Sequence, residues 1–331
     1  MNHLLLAITL TIAAGFNRPT WIDVDPATGD IWFVNRGDSA LVRIHDGVVT
    51  SINGLKTHYI TNPMVTFNFG GPFGGGIAIE PANAGCGGGE YAQGFYFSNT
   101  GANQVVLGAF NYGSPVIANR DMIAILNGPF TSPTGIALSW GYHGDYDAPE
   151  DHDAVYIADT ATGAVRRIRF VLSFEACPMP IVDDIFASGF IAPRGLAAAP
   201  DGSVYVADSG DHTIRRILPN GTVNLAVGVS GVAGSDEHHL NTPSGLAMSD
   251  KGELYIADTG NATIRKLAAD GSLITIAGTP GVAGLADGPD ALFNGPVGIR
   301  VVGDSIYVAD TSNNAIRRIF LTAPPQRRRA F

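Results

Sequence analysis

The sequence predicts an all-β fold: a six-bladed β-propeller of four-stranded antiparallel blades, its ring closed by the N-terminal strand completing the last blade. Three observations lead there. One phrase recurs as "VYIADTATGAVRRI" (155–168), "VYVADSGDHTIRRI" (204–217), "LYIADTGNATIRKL" (254–267) and "IYVADTSNNAIRRI" (306–319). Its Asp falls at 159, 208, 258 and 310, in steps of 49, 50 and 52 residues. Two weaker copies, "IWFVNRGDSALVRI" (31–44) and "FYFSNTGANQVVLG" (95–108), put Asn35 and Asn99 at the same point and bring the total to six. Finally, 42 glycines and 20 prolines in 331 residues demand many tight turns, hence many short strands.

Each copy carries the same grammar. In the fourth, "RGLAAAP" (194–200) is apolar and ends at Asp201-Gly202, a hairpin signal. "SVYVAD" (203–208) is rich in β-branched and aromatic residues, as strands are. "TIRRIL" (213–218) alternates apolar and charged residues, and Asn220-Gly221 turns the chain into "TVNLAVG" (222–228). Four strands in about fifty residues cannot bury both faces alone, whereas six such units packed radially can.

The blades are expected near 16–53, 70–120, 129–188, 191–229, 241–280 and 295–321, within one propeller over 1–322, with a basic tail at 323–331. The last copy stops after its third strand. "LAITLTIAAGFNRP" (6–19) resembles the fourth strand and exit of the fifth copy, so residues near 5–14 are expected to finish the last blade. The same stretch makes a poor secretory signal, because its start has no Lys or Arg and its apolar part alternates with Thr.

The formal charge of −10 argues against nucleic acid and anionic membrane surfaces as partners. No apolar run reaches the roughly 18 residues that span a bilayer. Cys86 and Cys177 permit one disulfide without demanding it.

The motifs "PSGLAMSDKGELYIADTGNATIRKL" (243–267) and "GVAGLADGPDALFNGPVGI" (281–299) resemble NHL repeats, strongly in copies three to six and weakly in the first two. The resemblance implies a six-bladed propeller and slightly favours an extracellular or periplasmic setting. It does not imply one activity: NHL-like propellers include protein-interaction and RNA-binding modules and amidating lyases, and related propellers include lactonases. Function is therefore argued from sites.

A residue needed for chemistry is needed once, so the Asp written in every strong copy reads as skeleton. It is expected to accept hydrogen bonds from the loop that follows it. The paired arginines (Arg166, Arg167, Arg215, Arg216, Arg317, Arg318) are expected to snorkel and pair around blade edges. His212 takes the place of the His in the family's name, where other copies have Gly163, Ala262 or Asn314.

Function is sought where copies differ. "SWGYHGDYDAPEDHDAVY" (139–156) inserts Asp145, Asp147, Glu150, Asp151 and Asp153, hard oxygen ligands suited to calcium, although the spacing is no EF-hand and a solvated acidic loop is the plainer reading. The Gly-rich segment 68–94 lacks the ending of a phosphate loop. His238 and His239 of "SDEHHLNTP" lie on the face of His212, a candidate zinc set of three. The family's amidating lyases hold zinc by His, but those ligands do not map onto separate blades here. At the channel mouth, the residue before the first-strand Gly runs Thr20, Gly75, Thr134, Arg194, Ser244, Val297, and Trp21 replaces the first blade's Gly. "RPTW" offers no acid where a gluconolactonase-type metal site requires Glu. Arg194, Trp21, Thr20, Thr134 and Ser244 are the candidate ligand-binding residues. No Ser/His/Asp, Cys/His or GxSxG arrangement is identifiable. The reading is a monomeric binding scaffold for a protein, a carbohydrate or a small anion, with a lyase or hydrolase, perhaps assisted by Ca or Zn, as the alternative.

Overall fold

The computed structural model describes residues 7–25, 28–52, 54–57, 65–66, 77–79, 92–111, 120–126, 129–139, 154–171 and 179–321. Six sheets succeed one another along the chain, each running from an innermost strand outward. Blade 1 comprises Pro19–Val24, Ile31–Asn35, Ala40–His45 and Val48–Ile52; blade 4 comprises Pro193–Ala198, Val204–Asp208, Thr213–Ile217 and Val223–Val227. Blade 6 takes Pro296–Val302, Ser305–Asp310 and Ala315–Phe320 from the end of the chain and Ile8–Ala14 from its beginning.

That last pairing is the expected closure. Ile8 lies opposite Phe320 and Ala14 opposite Ala315, antiparallel, with a bulge between Thr11 and Ala13. Asp287, in the crossover from blade 5, accepts hydrogen bonds from the Thr11 backbone N–H and hydroxyl, both at 3.0 Å, and from Arg317 at 2.8 Å. The closing strand is thus fastened by side chains as well as by its ladder.

Blade 2 has its four antiparallel strands and carries an addition. A hairpin of Gly54–Thr57 and Val65–Thr66 joins its outermost strand, Arg120–Leu126, through a parallel pairing, giving a six-stranded sheet.

The core lies between blades. Tyr255, Ala257 and Ile264 of blade 5 pack on Ile299, Ile306 and Val308 of blade 6. Ile22, Phe33 and Val42 of blade 1 pack on Ala309 and Ile316 of blade 6. Both faces of each middle strand are covered, which explains runs such as "VYVA" with no polar alternation. At the centre, the innermost strands touch backbone to backbone. A Cβ on Gly135 would collide with the Arg194 carbonyl, on Gly195 with that of Ser244, on Gly245 with that of Val297, and on Gly298 with that of Thr20. The Pro-x-Gly signature is therefore the ring's contact surface.

Candidate functional site

The repeated Asp sits at the end of each second strand, paired with the Pro that opens the innermost strand, for example Asp208 with Pro193. It is fully buried in all four strong copies. Its backbone partners differ from expectation. Asp159 accepts from the N–H groups of Thr131 (3.0 Å) and Ser132 (2.9 Å), Asp208 from those of Ile191 and Ala192 (2.9 Å each), Asp258 from Asn241 and Asp310 from Asn294 (2.8 Å each). These donors lie in the crossover entering the same blade, upstream of the Asp. The carboxylate thus staples the incoming chain to the blade and leaves the following loop to side chains: Asn261 and Asn313 donate to Asp258 and Asp310 from it, at 2.7 and 2.8 Å.

The arginines also depart from the edge-snorkelling reading, and strand register explains how. Arg166 lies opposite Ile157, two residues from Asp159 and so on the same sheet face. Arg166, Arg265 and Arg317 are buried, and Arg166 Nε and Arg317 Nη1 reach their Asp at 3.0 and 2.8 Å. The second member of each pair faces the other way, onto an aromatic ring: Arg216 on Tyr205 at 5.6 Å and Arg318 on Tyr307 at 5.2 Å, with Lys266 on Tyr255 at 5.9 Å.

A further repeated device went unread in the sequence. The hydroxyl after the Asp or Asn donates to the Pro carbonyl of the next blade: Thr100 to Pro133, Thr160 to Pro193, Thr259 to Pro296 and Thr311 to Pro19, each at 2.6 Å, and Ser209 to Pro243. The signal was present, since five of six copies carry Thr or Ser there and the first carries Arg36.

His212 has φ +58, as Ser39, Asn103, Gly163, Ala262 and Asn314 have φ from 49 to 63 at the same place in their copies. It is a left-handed turn residue first. Its Nδ1 accepts the Thr242 N–H at 3.0 Å, so a neutral ring carries its proton on Nε2. His239 Nδ1 lies 2.7 Å from Asp236, which also accepts the N–H groups of His238 and His239. Those hydrogen bonds hold the Asp236 carboxyl down at about 2. Among the described residues no three His, Cys, Asp or Glu side chains gather where they could hold a metal ion. Asp145, Asp147, Glu150, Asp151, Asp153, Gly75, Cys86, Cys177 and the basic tail lie outside the described residues.

At the channel mouth Thr20, Trp21, Thr134, Ser244 and Val297 are buried. Thr134 Oγ1 lies 2.8 Å from Thr160 Oγ1, and Thr20 donates to the Val34 carbonyl at 3.4 Å. Arg194 is half-buried and reaches across to blade 5, its Nη1 3.4 Å from the Ser244 hydroxyl. Burial lowers its pKa to about 9, so at neutral pH it still holds its proton.

Comparison with known proteins agrees with this architecture. The NHL repeat family matches residues 190–217, 240–267 and 293–319, each spanning the end of a crossover, an innermost strand and the Asp-to-Arg phrase. The chain is an NHL-repeat propeller. No curated protein matches it by sequence. Solved structures match by fold. A Bacteroides thetaiotaomicron protein of unknown function is 19% identical with TM-score 0.67, covering 95% of this chain and 76% of its own. A Bacteroides ovatus auxiliary nutrient binding protein is 16% identical with TM-score 0.61, over 95% and 76%. The virginiamycin B lyase of Staphylococcus aureus is 14% identical with TM-score 0.56, over 95% and 98%. At these identities the likeness is one of fold. Among the described residues of this NHL-repeat propeller, no helix is long and apolar enough to cross a membrane.

Proposed function

We propose that this propeller is a ligand-binding scaffold whose site lies on the loop face over the central channel, with Arg194 as the anchor for an anionic group. The observation that carries the reading is the placement of Arg194. Five other copies put a small or uncharged residue at this ring position, and this one puts a guanidinium that reaches the Ser244 hydroxyl of the next blade. Low-dielectric walls focus the field of such a group, and its planar fork matches two oxygens of a carboxylate, sulfate or phosphate. Thr20, Trp21, Thr134 and Ser244 would shape the ring beneath it. Fold analogy to a nutrient-binding propeller is in keeping with a small-ligand role.

The alternative, a lyase or hydrolase on the same face, has His212, His238 and His239 in its favour. Against it, the His212 Nδ1 is taken by the Thr242 N–H, while the His239 Nδ1 lies against Asp236. Calcium at the acidic insert is a separate proposal, and a calcium-dependent rise in Tm lost in D145N/D147N is its test.

The binding reading is tested by melting the protein at constant ionic strength with and without sulfate or acetate. An anion-dependent rise in Tm, lost in Arg194→Ala with the anion-free Tm preserved, supports it. An equal rise in both proteins places the anion elsewhere and ends it.

A further inference from the structure

The outermost strands of blades 4, 5 and 6 share one register but are not covered alike. Val223 of blade 4 lies opposite Ile217, Leu273 of blade 5 opposite Leu267, and Thr9 of blade 6 opposite Ile319. In blades 5 and 6 the N–H at this place points out of the sheet and is taken by the crossover entering the same blade. Leu273 donates to the Glu237 carbonyl at 2.8 Å and Thr9 to that of Gly288 at 3.3 Å. Leu273 and Thr9 are buried in consequence. Those crossovers are long, from Val227 to Leu246 and from Ala277 to Pro296. The one entering blade 4 runs only from Ser188 to Pro193. Among the described residues, no backbone hydrogen bond from outside the blade reaches Val223 or Leu225. Val223 is half-buried, Asn224 is exposed and Leu225 is 60% exposed.

The arginines of these blades record the same difference. Arg265 donates to the Ser235 and Asp236 carbonyls of its crossover at 3.3 and 2.8 Å, and Arg317 to the Leu292 carbonyl at 3.0 Å and to that of Ala286. Asn261 and Asn313 add bonds to the Gly234 and Gly284 carbonyls, each at 2.7 Å. Blade 4 has Asp211 in place of that Asn, with no N–H to give. Asp211 instead accepts from Arg215 at 2.8 Å and from Ser230 at 2.6 Å. Among the described residues, no carbonyl accepts a hydrogen bond from Arg215. Its side chain is 28% exposed, against 2% for Arg265 and 0% for Arg317.

We infer that the outer edge of blade 4 docks an extended peptide segment of a partner protein. The segment lies beside Val223–Val227, gives main-chain carbonyls to the outward N–H groups and to the Arg215 fork, and sets an apolar side chain on Leu225. By strand alternation Leu225 presents its N–H on the same side as Val223. The occupant is argued from blades 5 and 6, where carbonyls of a second segment meet the same N–H and the same Arg. Asp208 and Asp211 already face the charge of Arg215, at 3.5 and 2.8 Å, so the edge lacks carbonyl oxygen rather than a carboxylate. The apolar preference comes from Leu225 itself. It lies opposite Arg215, where blade 5 sets Thr275 opposite Arg265 and blade 6 sets Thr11 opposite Arg317. The blade without a covering crossover is thus the one that puts Leu where the other two have Thr.

The test is NMR with amide hydrogen exchange on the whole protein. The probes are a capped peptide of residues 231–242, "GVAGSDEHHLNT", and the same peptide with Ser235→Leu. Without peptide, the Val223 and Leu225 amides should exchange fast while those of Leu273 and Thr9 stay protected. Either peptide should shift and protect Val223 and Leu225. The Ser235→Leu peptide should bind about tenfold more tightly, as partial burial of a leucine warrants. In the protein, Leu225→Pro removes a donor at an edge, where Pro is tolerated, and should weaken binding about tenfold. Arg215→Lys keeps the charge beside Asp211 but loses the fork, and should weaken binding too, a second reading where Leu225→Pro perturbs the strand. Val223 and Leu225 protected in the protein alone would overturn the inference. Protection that grows with protein concentration would give the edge to a second copy and overturn the partner. No binding at millimolar peptide, shifts confined to other blades, or affinities unchanged in both variants would overturn it as well. Equal affinity of the two peptides would overturn the apolar preference.

Discussion

Asp159 and Arg166, both buried and seven residues apart, meet with Nε 3.0 Å from Oδ2. The same seven-residue relation joins Asp208 to Arg215, Asp258 to Arg265 and Asp310 to Arg317. In the two blades with Asn at the Asp position, Asn35 and Asn99, the residue seven further on is Val42 and Val106, both fully buried. The chain therefore uses two interchangeable solutions, a charged pair or a neutral pair, and never mixes them.

A double-mutant cycle follows from that rule. Asp159→Asn alone leaves a buried guanidinium without its carboxylate and should cost about 3–5 kcal/mol. Arg166→Val alone strands the carboxylate at similar cost. The double variant reproduces the solution of blades 1 and 2 and should be less destabilised than either single variant. The coupling energy should be about 2 kcal/mol or more in urea unfolding. Additive effects would refute the pairing rule.

The pair in blade 5 gives a pH dependence. Burial raises the Asp258 carboxyl to about 6, against the opposing pull of the Asn241 and Asn261 hydrogen bonds and of Arg265, and burial likewise lowers Arg265. A carboxyl raised in the folded state binds its proton more tightly there than in the unfolded chain. Its contribution is therefore most favourable below about 4 and is lost as pH rises toward 6. The stability of the parent minus that of Asp258→Asn should fall between pH 4 and 6, by on the order of 2 kcal/mol, and level off above. A difference that is flat or rises over that range would contradict the assignment.

Ring closure predicts a sharp response at the N-terminus. A chain beginning at Phe16 exposes the edge of Ala315–Phe320 and frees Asp287 and Arg317 from the Thr11 contacts. It should aggregate or melt far lower. A monomer with the parental Tm, by light scattering and calorimetry, would disprove the closure.

The ring contact is tested at Gly245. A methyl there collides with the Val297 carbonyl, a backbone atom that cannot rotate aside. Gly245→Ala should lose about 3 kcal/mol, whereas Gly231→Ala, where nothing lies within 4 Å of a Cβ, meets only its strained φ of +71 and should lose about 1. Equal losses in denaturant unfolding would remove the contact argument.

Much of the skeleton was legible because it is written repeatedly. Six copies of a strand-turn-strand phrase fix the blades, and the orphan "LAITLTIAAG" matched the missing fourth strand. The direction of the Asp hydrogen bonds was not legible, since the upstream donors lie 16 to 28 residues away in sequence and only the closed blade brings them to the Asp. The hydroxyl belt escaped because its acceptors are Pro carbonyls of the next blade, roughly 33 residues away or more. The strands Gly54–Thr57 and Val65–Thr66 on blade 2 have no counterpart among the described residues of the other copies, so repetition said nothing of them. Arg194 was legible as a departure from pattern.

The most direct test of the central claim, the anion site at Arg194, is a crystal structure of the protein with acetate. The account predicts the carboxylate on the loop face, accepting two N–H bonds from the Arg194 guanidinium at about 2.8 Å. A carboxylate bound elsewhere, with Arg194 closed in a bidentate pair with an Asp or Glu of a neighbouring blade, would contradict it.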